Sequence, residues 1–193
     1  MRGVEDGRGE GGMIYLKYFK SLMTHKWYVF LAGLKVGVPL WRLIVHDWQK
    51  FTRWEFKAYA YNFFASDEYK NNETLDAFAK YGVPELAPFG HFVDERFALA
   101  WLHHENTAPH HWGFWIARSG KYRKPLPMPE TYVREMIADW MGASRTYTKS
   151  WDMTGWLEKN SENLISNMHP ETIERVSDVL CAIGYSFGEE IST

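Results

Sequence analysis

The sequence predicts an all-α protein, a compact bundle of helices. Apolar residues recur at helical spacing in several long segments, whereas an alternating strand pattern and an Asn-Gly hairpin signal are both missing from the sequence. The chain has 193 residues, of which 46% are hydrophobic and 17% aromatic. This apolar content can fill one substantial core, so we expect a single domain over residues 13–193.

The first twelve residues, MRGVEDGRGEGG, are rich in glycine and charge and contain no apolar stretch. This composition is typical of a disordered leader rather than of a signal peptide. We therefore expect residues 1–12 to lie outside the folded domain.

Helical periodicity then predicts the elements in order. The triplet Gly37-Val38-Pro39 separates the first two helices, with Pro39 as the first residue of the second. Asp94 is the expected N-cap of a later helix. Three prolines and several basic residues predict a loop from Gly120 to Pro129. Helices are predicted over Tyr15–Leu34, Pro39–Ala65, a short stretch within Thr74–Gly90, Glu95–Glu105, Pro129–Thr146 and Pro170–Ile183.

The charge balance excludes a general affinity for polyanions. The 22 basic residues face 24 acidic residues, which gives a formal net charge of -2. We therefore expect no membrane or nucleic-acid partner, and any anion must bind locally. The apolar stretch Trp27–Val45 is interrupted by charge, glycine and proline, so it predicts two helices. The single cysteine, Cys181, cannot form an internal disulfide or a thiolate metal site, which favours a cytoplasmic protein.

An adjacent pair, His46-Asp47, lies in the middle of the second predicted helix. Burying an imidazole beside a carboxylate is costly unless both are bonded, and a divalent cation binds nitrogen and oxygen ligands together. A continuous helix would place Lys50 and Arg53 on the same face as the pair. This arrangement predicts a metal flanked by cations, which suits an anionic substrate.

Further ligands are expected from three other segments. His25 lies on the preceding helix, and Asp139 is an isolated acid in an apolar stretch, with Glu135 one turn earlier. Between them lie four histidines within nine positions: His103, His104, His110 and His111. The first two are about 100° apart on a helix, and we expect His104 to face the site. The sequence does not show which of His110 and His111 faces the site.

In chain order these residues resemble the H…HD…D pattern of the HD-domain metal-dependent phosphohydrolase superfamily, whose fold is all-helical. The resemblance covers about His25 to Arg145, although the separation of His25 from His46 is shorter than in many members. Three motifs are also similar to those of a small family of uncharacterised phage and bacterial proteins. They are His46 to Phe51 with Glu55-Phe56, Asn106 to Trp115 with His110-His111-Trp112, and Met128-Pro129 with Glu135-Met136 and Asp139-Trp140.

The resemblance implies a ligand set and a chemistry. One divalent transition metal (Mn, Fe, Co, Ni or Zn) would bind His25, His46, Asp47 and Asp139. His104 with His110 or His111 would bind a second ion, or contact phosphate, or act as a general acid. Lys50 and Arg53, with Arg145 as a further candidate, would stabilise charge on a phosphoryl group. The predicted catalytic residues are thus Lys50, Arg53, His104 and Asp47.

The predicted function is hydrolysis of a small phosphorylated metabolite by metal-activated water, with a nucleotide as the leading substrate. Two alternatives stay open. The HD fold also hosts di-iron oxygenases, and a metal-stabilised protein could bind a nucleotide or a host factor without turnover. Trp101, Trp112 and Trp115 could stack a base, but packing in the core is the more usual role. The sequence leaves the oligomeric state open.

Overall fold

A computed structural model describes residues 6–71 and 92–187 of the chain. Helices dominate these ranges, which confirms the predicted all-α class. They are α1 (Asp6–Val36), α2 (Leu40–Val45), α3 (Arg53–Phe64), α4 (Phe92–Thr107), α5 (Glu130–Thr148), α6 (Thr154–Asn167) and α7 (Pro170–Ala182). Two 3-10 helices, Trp48–Phe51 and Trp112–Trp115, and the strands β1 (Ile116–Ser119) and β2 (Tyr122–Pro125) complete the named elements.

The ends of α1 differ from the prediction. The helix begins at Asp6, within the segment predicted as a leader, and continues to Val36. It ends where Gly37 takes a φ of 78°, a left-handed conformation that glycine adopts without steric cost. Pro39 is the residue before α2 rather than its first member.

The predicted helix Pro39–Ala65 is wrong in its middle. α2 ends at Val45, and Asp47 takes a left-handed φ of 55° before a 3-10 helix and α3 follow. Aspartate tolerates this conformation better than most residues because its short polar side chain bonds locally. The break removes the continuous helical face on which Lys50 and Arg53 were expected to flank the His-Asp pair.

The first half of the predicted loop Gly120–Pro129 belongs to a β-hairpin. A second difference is α6, a helix that was not predicted from the periodicity. β1 pairs antiparallel with β2, with Ser119 opposite Tyr122 and Ile116 opposite Pro125. Gly120, with a φ of 57°, begins the two-residue turn, as expected for a tight hairpin. Most strand residues are exposed, so the sequence contains no buried alternation that could signal them.

By their internal contacts the described residues form two compact units, where the sequence predicts one domain. The first comprises residues 6–23, 47–71 and 92–104, and the second comprises residues 24–46 and 105–187. Each unit has its own apolar core. The first core includes Tyr18, Leu22, Ala58, Tyr59 and Ala100, and the second includes Val29, Ala32, Met136, Ile137, Val176 and Leu180.

A close approach of α5 to α1 organises the second unit. A Cβ atom on Gly142 would lie 2.8 Å from the backbone nitrogen of Val29, so only glycine permits this packing. Val29 follows His25 by one helical turn, and Gly142 follows Asp139 by nearly one turn. The same approach therefore brings His25 and Asp139 to one level of the helix pair.

Two further predictions concern the middle of the chain. The short helix and surface connection predicted within Thr74–Gly90 lie outside the described residues. Asp94, the predicted N-cap, is instead inside the first turn of α4.

Among the described helices, none has both the length and the apolar character needed to cross a lipid bilayer.

Candidate metal site

Three predicted ligands converge in the second unit. His25 on α1 and His46 after α2 are buried, and Asp139 on α5 is partly buried. The Oδ1 atom of Asp139 lies 3.0 Å from Nε2 of His25 and 3.5 Å from Nε2 of His46. Each of the three residues offers one ligand atom, and these atoms lie within 4.8 Å of one another. Separate segments of the chain thus place two imidazoles and one carboxylate around one point.

The distances fit a divalent ion as well as direct hydrogen bonds. Metal bonds of about 2.1 Å to nitrogen and oxygen place neighbouring ligand atoms about 3.0 Å apart in an octahedron and about 3.4 Å apart in a tetrahedron. The two nitrogen to oxygen separations at Asp139, 3.0 and 3.5 Å, are close to this range without selecting either geometry. Mixed imidazole and carboxylate ligands suit Mn, Fe, Co, Ni or Zn. The donor set therefore fits the metal that the sequence predicts.

Glu135 orients the ring of His46 from the other side. Its Oε1 atom lies 3.1 Å from Nδ1 of His46. Its Oε2 atom accepts a hydrogen bond from Nε of Arg42 at 2.6 Å and forms an ion pair with Nη2 of Arg42 at 2.5 Å. The guanidinium of Arg42 in turn lies 4.1 Å from the ring centroid of Tyr132. Both Glu135 and His46 are buried, so this chain of contacts is shielded from water.

This arrangement selects one tautomer of His46. A carboxylate paired with Arg42 is a hydrogen-bond acceptor, so Nδ1 of His46 carries the proton and donates it to Glu135. The lone pair of the neutral ring is then on Nε2, the nitrogen that faces Asp139. Histidines that bind metals usually donate their other ring N–H to a carboxylate in this way. The tertiary structure thus leaves Nε2 as the atom through which His46 could bind a metal.

The two carboxylates of this cluster are held in the charged state. Burial raises the pKa of Asp139, but its contacts with His25 and His46 outweigh that effect and hold the pKa well below its usual range. Burial likewise raises the pKa of Glu135, and His46, His110 and Arg42 lower it below its usual value. Both side chains are therefore anionic at neutral pH, as a cation site requires.

The second histidine pair divides between buried and partly buried positions. His110 is buried, with its ring centroid 4.4 Å from that of His46 and its Nδ1 atom 3.6 Å from Oε1 of Glu135. His111 is partly buried, and its ring centroid lies 4.3 Å from that of His110. His46, His110 and Glu135 also offer ligand atoms within 4.8 Å of one another. His110 therefore belongs to the cluster around Glu135.

A second buried cluster lies in the first unit. Lys50 Nζ donates to Oδ2 of Asp47 at 2.6 Å, and Oδ1 of Asp47 lies 3.1 Å from Nε2 of His104. Nδ1 of His104 lies 3.3 Å from Oε2 of Glu55, whose Oε1 lies 2.8 Å from Nδ1 of His103. Asp47, Glu55 and His104 are almost fully buried, whereas His103 is half-exposed. Of the two neighbouring histidines, the expected one is buried.

The charges in this cluster support one another. Burial lowers the pKa of His104, but the charge of Asp47 and hydrogen bonds to Asp47 and Glu55 raise it above its ordinary value. Burial raises the pKa of Glu55, and contacts with His104 and His103 lower it overall. Lys50, Asp47, His104 and Glu55 thus form a line of alternating charge within the first unit.

Two of the predicted cations, Arg53 and Arg145, lie outside both clusters, and two charged residues within the clusters, Arg42 and Glu55, were not in the predicted site. Arg53 begins α3 and is exposed. Arg145 donates to the carbonyl of Lys149 at the end of α5 and lies 5.6 Å from the ring centroid of Tyr28, so it closes that helix end. Arg42 and Glu55 are charged residues in apolar helices. Burial of such residues requires a partner, a signal that could have found them.

The described residues define an all-helical protein with buried histidine and carboxylate clusters that could hold a metal ion. Residues 15–182 match DUF5662, described as a family of unknown function, and the chain belongs to that family. The match covers nearly all of the chain and includes every residue of both clusters. Searches among curated proteins and among solved structures find no match.

Proposed function

We propose that this protein is a metal-dependent phosphohydrolase of the HD type, acting on a small phosphorylated metabolite. The observation that carries the proposal is the convergence of His25, His46 and Asp139 on one buried point. These are three members of the ordered pattern that resembles the superfamily. The fourth, Asp47, follows His46 in the chain, and its part in the same ligand set stays a prediction from sequence.

The chain's own residues support hydrolysis in two ways. Three donors from the second unit, or four with the predicted ligand Asp47, leave positions for water and substrate on an ion of octahedral coordination. A bound divalent ion would supply Lewis acidity, which acidifies water and neutralises charge on a phosphoryl group. Lys50, held by Asp47 in the first unit, is the predicted cation for the substrate phosphate.

Phosphate release from a panel of substrates tests the proposal. The purified protein would be loaded with Mn, Fe, Co, Ni or Zn and assayed with nucleoside monophosphates, nucleoside triphosphates and cyclic nucleotides. We expect metal-dependent hydrolysis that Asp139→Asn abolishes. The matched control is Glu130→Gln on the same helix, which changes an exposed carboxylate and leaves activity intact. A folded, metal-loaded protein without hydrolysis in any assay would contradict the proposal.

One observation keeps the di-iron alternative in view. His46, His110 and Glu135 form a second group of ligand atoms in the same unit. In this group, however, His46 would use the nitrogen that faces Glu135, and Glu135 already binds Arg42. The ion pair favours an orienting role for Glu135 and hence one ion on Nε2 of His46. Metal analysis with Mössbauer spectra of anaerobically prepared protein decides, because an oxygenase would show a coupled di-iron centre.

A non-catalytic binding protein is the remaining alternative. The variant Asp47→Ala separates it from the enzyme, since the two roles predict different losses. If the wild type shows no turnover and the variant melts at a much lower temperature, the predicted ligand is structural. If the variant stays folded and hydrolysis disappears, it is catalytic.

A further inference from the structure

Helix α1 carries apolar side chains on two opposite faces. One face is buried and comprises Ile14, Tyr18, Leu22, Val29, Ala32 and Val36, with the polar residue His25 among them. The other face, which we call the outer stripe, comprises Met13, Leu16, Phe19, Met23, Trp27, Leu31 and Leu34. Members of the outer stripe are between 37% and 59% exposed. Helices in contact with water normally have one apolar face and one polar face, so the outer stripe calls for a partner.

The outer stripe is large enough for a stable protein interface. At 100° and 1.5 Å per residue, it covers an arc of about 120° and a length of about 32 Å. With full areas of roughly 150–250 Å² for large side chains, these exposures leave roughly 700 Å² of apolar surface per chain. This exceeds the roughly 300–600 Å² of the largest patch on a typical monomer. Two such surfaces together bury roughly 1,400 Å², within the range of specific interfaces.

We propose that the outer stripe is the interface of a homodimer, in which α1 packs antiparallel against α1 of a second copy. The spacing of the stripe is nearly symmetric about its centre, beside Met23. A two-fold axis at that point pairs Met13 with Leu34 and Leu16 with Leu31 across the interface. Such self-complementarity is what an isologous dimer requires. This inference does not depend on the proposed metal site.

Charge favours the antiparallel arrangement over the parallel one. All charged side chains described on α1 from residue 12 onward are basic, and Lys20 lies within the arc of the outer stripe. A parallel pair would place Lys20 against its own copy, and like charges repel. The antiparallel pair places Lys20 beside the ring of Trp27, a favourable cation–π partner. Antiparallel helix dipoles add to this preference.

The mass of the full chain in solution tests the dimer. Light scattering and sedimentation velocity would be measured at protein concentrations of roughly 5–100 μM. Both should give about twice the chain mass of 22.7 kDa. The double variant Leu16→Glu with Leu31→Glu should be monomeric and should keep the helical circular dichroism of the wild type. The matched control, Tyr122→Glu with Leu126→Glu, changes two exposed apolar residues elsewhere and should stay dimeric. A monomeric wild type, or a folded stripe variant that still dimerises, would overturn the proposal.

Disulfide trapping tests the orientation. In a Cys181→Ser background, Met23→Cys should crosslink with itself under oxidation, because facing helices bring these positions within disulfide range. A mixture of Met13→Cys and Leu34→Cys chains should give the mixed dimer rather than either self-dimer. Self-dimers of Met13→Cys would overturn the antiparallel arrangement. A wild-type monomer that instead sediments with phosphatidylserine vesicles would overturn the dimer and assign the outer stripe to a lipid surface.

Discussion

His46 and Glu135 lie 3.1 Å apart, from ring Nδ1 to carboxylate Oε1, in a part of the second unit that is closed to water. Arg42 binds the other carboxylate oxygen and keeps Glu135 ionised. The ionised carboxylate can then accept a hydrogen bond from His46. Through this contact a residue that is not in the predicted ligand set decides which nitrogen His46 presents. The proposed chemistry therefore depends on an ion pair beside the site as well as on the ligands themselves.

Replacing Glu135 by glutamine should weaken metal binding. Glu135→Gln keeps the shape of the side chain but removes the charge that fixes the tautomer of His46, and losses of such orienting partners typically cost about 10–100-fold in affinity. Calorimetric titration with Zn or Mn measures the change. The nitrogen shifts of the His46 ring should also show a redistribution between tautomers, which a purely structural loss would not produce.

The control for this prediction is Glu130→Gln, at the start of the same helix. Glu130 accepts from Arg134 at the surface, and its loss should leave both metal affinity and the His46 ring unchanged. Unchanged affinity in folded Glu135→Gln protein would show that Glu135 does not orient a ligand.

Removing the metal should lower the melting temperature. Binding at a concentration of one hundred times Kd stabilises the native state by about 2.7 kcal/mol, which corresponds to roughly 5–10 °C for a chain of this size. Differential scanning calorimetry with added metal, and again with a chelator, measures this shift. The shift should disappear in His25→Ala, whereas His169→Asn, which replaces a partly buried histidine that caps α7, should retain it. If the chelator lowered the melting temperature of both variants equally, the ion would not bind at His25.

The charge on His104 should make stability depend on pH in metal-free protein. Burial lowers the pKa of His104, but contacts with Asp47 and Glu55 raise it above its ordinary value of 6.5, so the folded state holds the proton more tightly than the unfolded state does. The resulting stabilisation is full below pH 6.5 and is lost as the pH rises through the folded pKa. Urea unfolding at a series of pH values measures it.

In Asp47→Asn this pH dependence should shrink, and the ring resonances of His104 should titrate at lower pH. Asp152→Asn is the matched control, because Asp152 is fully exposed and belongs to the other unit. A profile that stays the same in Asp47→Asn would mean that Asp47 does not set the pKa of His104.

Gly142→Ala should destabilise the second unit. The added methyl group would lie 2.8 Å from the backbone of Val29, and α5 would have to move away from α1 at a cost of about 1–3 kcal/mol. Denaturant unfolding measures the loss. Gly155→Ala, in the first turn of α6, has open space around the new methyl group and should be neutral or slightly stabilising. Equal stability of the two variants would show that the helices are not held at this distance.

The sequence predicted most long helices because their apolar residues repeat along the chain. The prediction of α5 was accurate to two residues, and that of α7 to one. It failed at Asp47 and at the hairpin for a common reason. Both features depend on single backbone conformations, at Asp47 and at Gly120, that hydrophobic periodicity does not record. α6 was also not predicted, and among its residues only Leu157 and Leu164 are buried.

By itself, the sequence determined the helical class and the set of acids and histidines that could meet, since buried charges in apolar helices require partners. Only the tertiary structure decided how they pair. It brought Arg42 to Glu135 across 93 positions of sequence, buried His104 rather than His103, and placed His110 beside His46. These outcomes depend on how helices approach one another, as at Gly142, and a packing distance between distant segments leaves no periodic trace in the chain.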